Sequence, residues 1–315
     1  MRELIDALEA FFDHLAAVGW AALGIALLFQ VLRLAARSIA WRSILMSAYP
    51  ETRVPLLGVF GSYVAGVGVN SIVPARGGDV VKLVLVKRTI EGSSHATLAP
   101  TLLVETIFDL FVAAGLLGWA LTLGVFPSFS ALPKLPTVDW HWPLEHPGTA
   151  IVIATVWLVV IGLLIGIGVH RVRNFRARVQ QGFAILRTPR RFVTGVISWQ
   201  AVSWGLRVGS IYFFLRAFHV PATAENAVLV LAVQSISTVL PFTPGGVGTQ
   251  QGFLAYVFRN SPISQATLLS FSVGMYVAVT VVNAALGFAA IGLMLGTVRW
   301  RRHVLLEKEK ARAVS

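Results

Sequence analysis

Long apolar runs, separated by short basic or proline-rich stretches, set the pattern of this chain. Residues 16–34, 97–124, 149–169, 193–217 and 263–297 are dominated by aliphatic and aromatic positions. Each approaches or exceeds the ~20 residues that a helix needs to cross a bilayer. Two further segments are apolar but interrupted. The first, 54–88, carries NSIVPARGGDVVK (Asn70 to Lys82), which sets a proline, two glycines and three charges amid hydrophobic sequence. The second, 226–258, carries STVLPFTPGGVGTQQG (Ser237 to Gly252). Lipid offers no partner to the backbone groups that a break frees, so such breaks persist only where they line a cavity or are buried in protein. The pattern therefore predicts two broken helical hairpins that wall one site inside a membrane.

The basic residues orient these elements, because loops on the cytoplasmic side are rich in lysine and arginine. Arg33, Arg37, Arg42 and Arg53 follow the first run, which predicts a cytoplasmic loop and an external N-terminus. A hairpin entering from the cytoplasm and turning near Pro74–Gly78 returns Lys87 and Arg88 to that side. A full crossing by residues 54–73 is the rival reading, and it strands those two charges or demands a very short return. Residues 97–124 then run outward to a loop, 125–148, with five prolines and Lys134 as its one lysine. Residues 149–169 return to a segment holding seven arginines between Arg171 and Arg191. Residues 193–217 lead out, the second hairpin enters from outside, and 263–297 come back to a basic cytoplasmic tail at 298–315. The halves 16–124 and 193–297 are thus opposite in topology around the linking span 149–169. Such an inverted repeat, broken at matching places, marks transporters whose site lies near the midplane.

Composition fits the same class. Of 315 residues, 56% are hydrophobic and only 13% charged, and the mean hydropathy is +0.75, whereas soluble domains carry about twice that charge. This predicts an all-α polytopic membrane protein forming a single transmembrane domain. The absence of cysteine excludes disulfides and thiolate metal sites. A net charge of +12 resembles a nucleic-acid signal, but it sits mostly between spans, where it records topology and contact with anionic lipid. The N-terminal MRELIDALEAFFDHL is acidic and amphipathic, unlike a cleaved leader, and reads as an interfacial helix. No appended soluble domain is expected.

Several polar residues stand where lipid makes them costly. Arg76, at the first hairpin tip, needs an anion or a carboxylate, and its planar fork suits phosphate; internal pairing with Asp79 or with an acid of the next span is the alternative. Gly77 and Gly78 permit a tight turn with exposed amides at a helix start. Asp79 would cap that helix or serve function directly, and Lys82 lies one turn on, placed either for function or to snorkel. Glu105 and Asp109 are four apart, hence on one helical face; they repel unless a cation bridges them or a proton neutralises one. Arg76 is the expected bridge. Arg207 lies inside 193–217 and also needs a partner. The second hairpin offers Pro241, Pro244, Gly245, Gly246 and Gly248, then Thr249, Gln250 and Gln251, whose amides could hold an anionic oxygen or simply allow close packing. Trp199 and Trp204 read as packing or interface residues rather than a substrate box. His141 and His146 read as parts of a solvated loop, and no metal site is expected. Neither HExxH, GxSxG nor a P-loop occurs.

At these residues the chain resembles the integral-membrane family that shares the flippase region of bacterial lysylphosphatidylglycerol synthases, the multiple-peptide-resistance factors. The resemblance covers roughly 15–297. Its letters are Asn70, Pro74, Arg76, Gly78 and Asp79 in NSIVPARGGD, Glu105 and Asp109 in VETIFD, and Pro241, Pro244, Gly245, Gly246 and Gly248 in PFTPGGVG. It implies a lipid translocase of a prokaryotic cytoplasmic membrane with paired re-entrant hairpins. Its cargo would be an anionic or aminoacylated phospholipid or a polyprenyl-linked sugar, with no cofactor and possible homo-oligomers. The family often has glutamate where this chain has Gln251, so substrate or coupling is expected to differ. The aminoacyl-transferring domain of the full-length relatives is missing from this sequence, so lipid synthesis is not expected of it. Two other classes remain open. One is an intramembrane transferase or phosphatase using Asp79, Glu105 and Asp109 with a divalent ion; the other is a non-transporting partner of a lipid synthase.

Overall fold

Eight principal helices organise the computed structural model, which describes residues 18–73, 77–122, 177–239, 249–258 and 263–313. They are α1 (Trp20–Ala48), α2 (Leu56–Asn70), α3 (Gly77–Lys87), α4 (His95–Thr122), α5 (Ser198–Ala217), α6 (Ala224–Val239), α7 (Thr249–Val257) and α8 (Gln265–Ala313). No strand occurs among the described residues. Among the described residues, three helices are long and apolar enough to cross a membrane, over Trp20–Ala48, His95–Leu116 and Gln265–Gly296. The protein is an α-helical membrane protein.

Helix starts follow local chemistry. The Ser94 hydroxyl accepts the Thr97 N–H at 3.2 Å before α4, Thr223 accepts that of Asn226 at 3.0 Å before α6, and Ser264 accepts that of Thr267 at 3.0 Å before α8. Each supplies an acceptor to a first-turn donor that has no carbonyl four residues back.

One boundary corrects the apolar reading. The first helix does not end near Leu34 but continues through Arg37 and Arg42 to Ala48, and Ala36, Ser38, Ala40, Trp41, Ile44 and Leu45 in this continuation are buried. Arg33 and Arg37 are therefore residues of a 29-residue helix rather than of a basic loop. A basic residue after an apolar run reads as a water-facing loop, whereas Arg37 is met by Glu105 and Asp109 of α4 and Arg42 donates to the Val54 carbonyl. At the other end of the chain, α8 continues beyond Arg299 to Ala313. The segment 193–217 is helical too, entered through a π-helical turn at Val193–Ile197.

Helices α2 and α3 form the two arms of the first broken hairpin and pack antiparallel. At 15 and 11 residues they span only about 22 and 16 Å, against a hydrocarbon core of about 30 Å. Their closest approach is glycine on glycine: a Cβ built on Gly78 would collide with the Gly66 carbonyl oxygen. Elsewhere α1 lies along α5, α2 against α8, α4 against α6, and α7 against α6 and α8. The α2–α8 crossing is equally bare, since a Cβ on Gly68 would stand 2.6 Å from the Gly287 Cα.

Two buried clusters result. One gathers Trp41, Ile44, Leu45, Val59, Tyr63, Val86 and Leu98; the other gathers Phe214, Leu215, Val230, Leu231, Leu254 and Phe271. The outer faces carry exposed Leu57, Phe111, Phe288 and Leu293, an apolar surface suited to lipid. The linking span 149–169, the loop 125–148, Pro74, Arg76, Pro241, Pro244, Gly245, Gly246 and Gly248 lie outside the described residues.

Candidate functional site

The acid pair of α4 is the centre of an ionic cluster that is buried at Glu105 and partly open at Asp109. Glu105 and Asp109 project from successive turns of one face, as their spacing requires. Between them stands Arg37 of α1. Its Nη2 lies 2.7 Å from Glu105 Oε1, and its Nη1 and Nη2 donate to Asp109 Oδ1 and Oδ2 at 3.2 and 2.5 Å. Arg37 Nε donates to Glu105 Oε1 at 2.9 Å and to the Tyr63 hydroxyl at 2.6 Å. Tyr63 Oη in turn donates to Glu105 Oε1 at 2.6 Å. Lys82 of α3 completes the set, its Nζ donating to Glu105 Oε2 at 3.0 Å. It lies 3.8 Å from the Tyr63 ring centroid and 4.4 Å from that of Trp41, a cation–π cage.

Two cations and two carboxylates balance, which is the condition for holding charges out of water. Lys82 and Glu105 are each only 5% exposed. Among the described residues Arg37 bridges the two acids, while Arg76, for which that role is expected, lies outside them; Lys82 is enclosed rather than snorkelling to an interface. Trp204 of α5, expected as a packing or interface residue, donates its indole N–H to Asp109 Oδ1 at 3.2 Å. Trp41 Nε1 donates to Thr101 Oγ1 at 3.0 Å. The cluster thereby joins α1 to α5. A divalent ion at Glu105 and Asp109 would have to displace Arg37, and no group of three or more metal-type side chains occurs among the described residues.

The hairpin bend is tied differently from the expectation for Asp79. Helix α3 begins at Gly77, so Asp79 sits inside its first turn, where a carboxylate suits the helix dipole. The capping acceptor comes from the opposite arm: Asn70 Oδ1 accepts the Gly78 N–H at 2.7 Å, and Asn70 Nδ2 donates to Asp79 Oδ1 at 3.2 Å.

Beside the ionic cluster, a cavity of about 430 Å³ opens among α1, α2, α5, α6, α7 and α8. Two guanidinium groups line it, Arg33 from α1 and Arg207 from α5. Neither forms an ion pair among the described residues. Arg33 Nη1 donates to Gln30 Oε1 at 2.9 Å, and its Nε is buried without a hydrogen-bond partner. Arg207 Nη2 donates to Gln234 Oε1 at 3.1 Å, and its guanidinium lies 5.0 Å from the Trp204 ring centroid. Asn70, Ser71, Gln250, Thr280 and Asn283 add neutral polar groups to the wall.

Of the residues singled out from sequence, Lys82, Glu105 and Asp109 meet in the cluster, and Asn70 and Arg207 line the cavity. Asp79, Gly77 and Gly78 stand at the hairpin bend. Gln251 and the backbone of Thr249 lie in α7. Arg33, Arg37, Tyr63 and Gln30 were missed. A signal was present: Arg33 and Arg37 are four apart, the same stagger as Glu105 and Asp109.

Among known proteins, a UPF0104 membrane protein of Methanocaldococcus jannaschii is 24% identical over 200 residues, covering 61% of this chain and 79% of that protein. No solved structure matches the chain. The family model described as the lysylphosphatidylglycerol synthase TM region matches residues 2–287, and by that match the chain belongs to this family.

Proposed function

We propose that this chain is a lipid translocase that carries a polar head group between the leaflets through the cavity between its two halves, the tails remaining in the bilayer. The observation that carries the reading is the pair Arg33 and Arg207, two guanidinium groups on helices read as membrane-embedded, facing one cavity and lacking a carboxylate among the described residues. Such groups mark substrate paths. The family supports the lipid as cargo, since its model is that of a lysylphosphatidylglycerol synthase TM region.

The arms α2 and α3 are read as re-entrant, because each is too short to cross. The two halves are read as an inverted repeat. Exchange of α1 with α5, α2 with α6, α3 with α7 and α4 with α8 carries α2 on α8 onto α6 on α4, α3 on α4 onto α7 on α8, and α1 on α2 onto α5 on α6. Arg37, Lys82, Glu105 and Asp109 lock the first hairpin to α1 and α4, so the hairpin and these helices move as one body. Rocking of that body against α8 would open the cavity to each leaflet in turn. The membrane is read as a prokaryotic cytoplasmic one, with the N-terminus outside and the C-terminus inside, and no catalytic turnover is assigned to the chain.

The test is head-group accessibility in reconstituted vesicles, comparing wild type with Arg207→Gln and Glu105→Gln. Exchange of labelled lipid in wild type, slowed in both variants, is expected. Equal rates in protein-free vesicles and all three proteins would reject translocation. Chemical turnover of lipid by the purified protein in detergent, where sidedness has no meaning, would favour an intramembrane enzyme instead.

A further inference from the structure

The composition of the cavity wall goes beyond transport to the class of head group. Its charged side chains, among the described residues, are Arg33 and Arg207; no aspartate or glutamate lines it. The acids nearest in the fold are already engaged, Glu105 and Asp109 by Arg37 and Lys82, and Asp79 by Asn70. Among the described residues the wall is therefore cationic, with no carboxylate to meet an ammonium group. The rest of its polar lining is mainly carboxamide. Gln30 Nε2 donates to Asn283 Oδ1 at 3.1 Å while its own oxygen receives Arg33. Gln234 accepts from Arg207, and its Nε2 faces only the Met275 sulfur, at 3.7 Å. Among the described residues, Gln250 Nε2 is buried with no hydrogen-bond partner, as is Arg33 Nε. Buried donors left without acceptors are rare and call for one. Guanidinium forks suit phosphate oxygens, and carboxamides both donate to and accept from hydroxyls.

We infer that the cavity binds a head group made of an anionic phosphate ester bearing neutral hydroxyls, and discriminates against a head group carrying a free amine. Arg33 and Arg207 hold the phosphate, and the carboxamides of Gln30, Gln234, Gln250 and Asn283 hold the hydroxyls. This deepens the translocase reading and rests on it for the lipid, while the binding chemistry stands on the wall alone. An aminoacylated phosphatidylglycerol would bring an ammonium group into a space that already holds two guanidinium charges.

The experiment measures binding of defined lipids to the purified full chain in detergent by native mass spectrometry. The probes are phosphatidylglycerol, lysylphosphatidylglycerol and phosphatidylcholine, with glycerol phosphate as a soluble arm. Phosphatidylglycerol is expected to bind about tenfold tighter than either other lipid, the scale of one charge-assisted hydrogen bond. Arg33→Gln with Arg207→Gln is expected to abolish that preference, the two lysine replacements to retain most of it, and the exposed Arg216→Gln to leave it unchanged. Equal or tighter binding of lysylphosphatidylglycerol to wild type overturns the inference without recourse to any variant, so a misfolded double variant does not protect it. Glycerol phosphate binding as tightly as the lipid would overturn the lipid source. A phosphatidylglycerol preference with no leaflet exchange in vesicles would sustain this inference and sink translocation; equal exchange of both phosphatidylglycerols would do the reverse.

Discussion

Arg37 and Glu105, 68 residues apart in the chain, meet at 2.7 Å between Nη2 and Oε1, both almost entirely enclosed. The pair fastens α1 to α4 and, through the second oxygen of Glu105, brings in α3. Removing one member of a buried pair leaves the other charge uncompensated, a loss of about 3 kcal/mol or more. Arg37→Ala is therefore expected to lower thermal stability in detergent sharply, because Glu105 and Asp109 then face each other one turn apart. Adding Glu105→Gln and Asp109→Asn should recover part of the loss. A double-mutant cycle read by thermal unfolding checks this, and additivity of the losses would disprove the coupling.

Tyr63 tests the same junction more gently. Its hydroxyl accepts from Arg37 and donates to Glu105, while its ring faces Lys82. Tyr63→Phe keeps the ring and removes both hydrogen bonds, for a cost of about 1–3 kcal/mol. Tyr63→Leu, which removes the ring as well, should cost more. A smaller effect for leucine than for phenylalanine would show that Lys82 does not depend on the ring.

The glycine contact between the hairpin arms gives a steric prediction. Gly78→Ala sets a methyl group against the Gly66 carbonyl oxygen, and Gly66→Ala sets one 2.8 Å from Gly78 O and from Lys82 Cβ. Each is expected to destabilise by about 1–3 kcal/mol and to displace Lys82. Gly115→Ala in α4, whose added Cβ meets nothing within 4 Å, should be neutral or slightly stabilising through helix propensity. The comparison is read by melting temperature, and equal shifts at Gly78 and Gly115 would contradict the packing.

Arg207 and Arg33 should behave in the opposite sense. Groups kept for a ligand rather than for the fold cost stability when that ligand is absent. Arg207→Gln and Arg33→Gln are expected to leave the melting temperature unchanged or raise it, while slowing head-group exchange about tenfold. A large fall in melting temperature for either would mark it as structural.

How much of this was legible beforehand depends on which residue is asked about. The i, i+4 acids of α4 announced a cation partner, and Pro74 with its glycines announced a broken helix, because both signals are local. The identity of the partner was not local. Arg37 follows an apolar run, and the usual reading of a basic residue there is a water-facing loop; only the packing of α1 against α2, α4 and α5 turns the same face into an interior. Arg33 was hidden by the same rule. Lys82 was visible as a charge, but its enclosure by Trp41 and Tyr63 required the α2–α3 pairing. The capping role passed from Asp79 to Asn70 because the acceptor comes across the hairpin from a residue eight positions earlier, and short-range capping rules do not look that far.

The bare crossing of Gly68 on Gly287 has a mechanical consequence. At this one point the two helices touch through main chain with no side chain between them, whereas farther along Met294 of α8 lies over Gly61 and Ser62 of α2 and meshes the same pair. In the translocase reading the crossing would serve as a fulcrum between the first broken segment and the final long helix, with the Met294 contact as the part that must slide. A shift of a few degrees there is magnified with distance along α8, which would let a small tilt at one glycine widen one mouth of the cavity as it narrows the other.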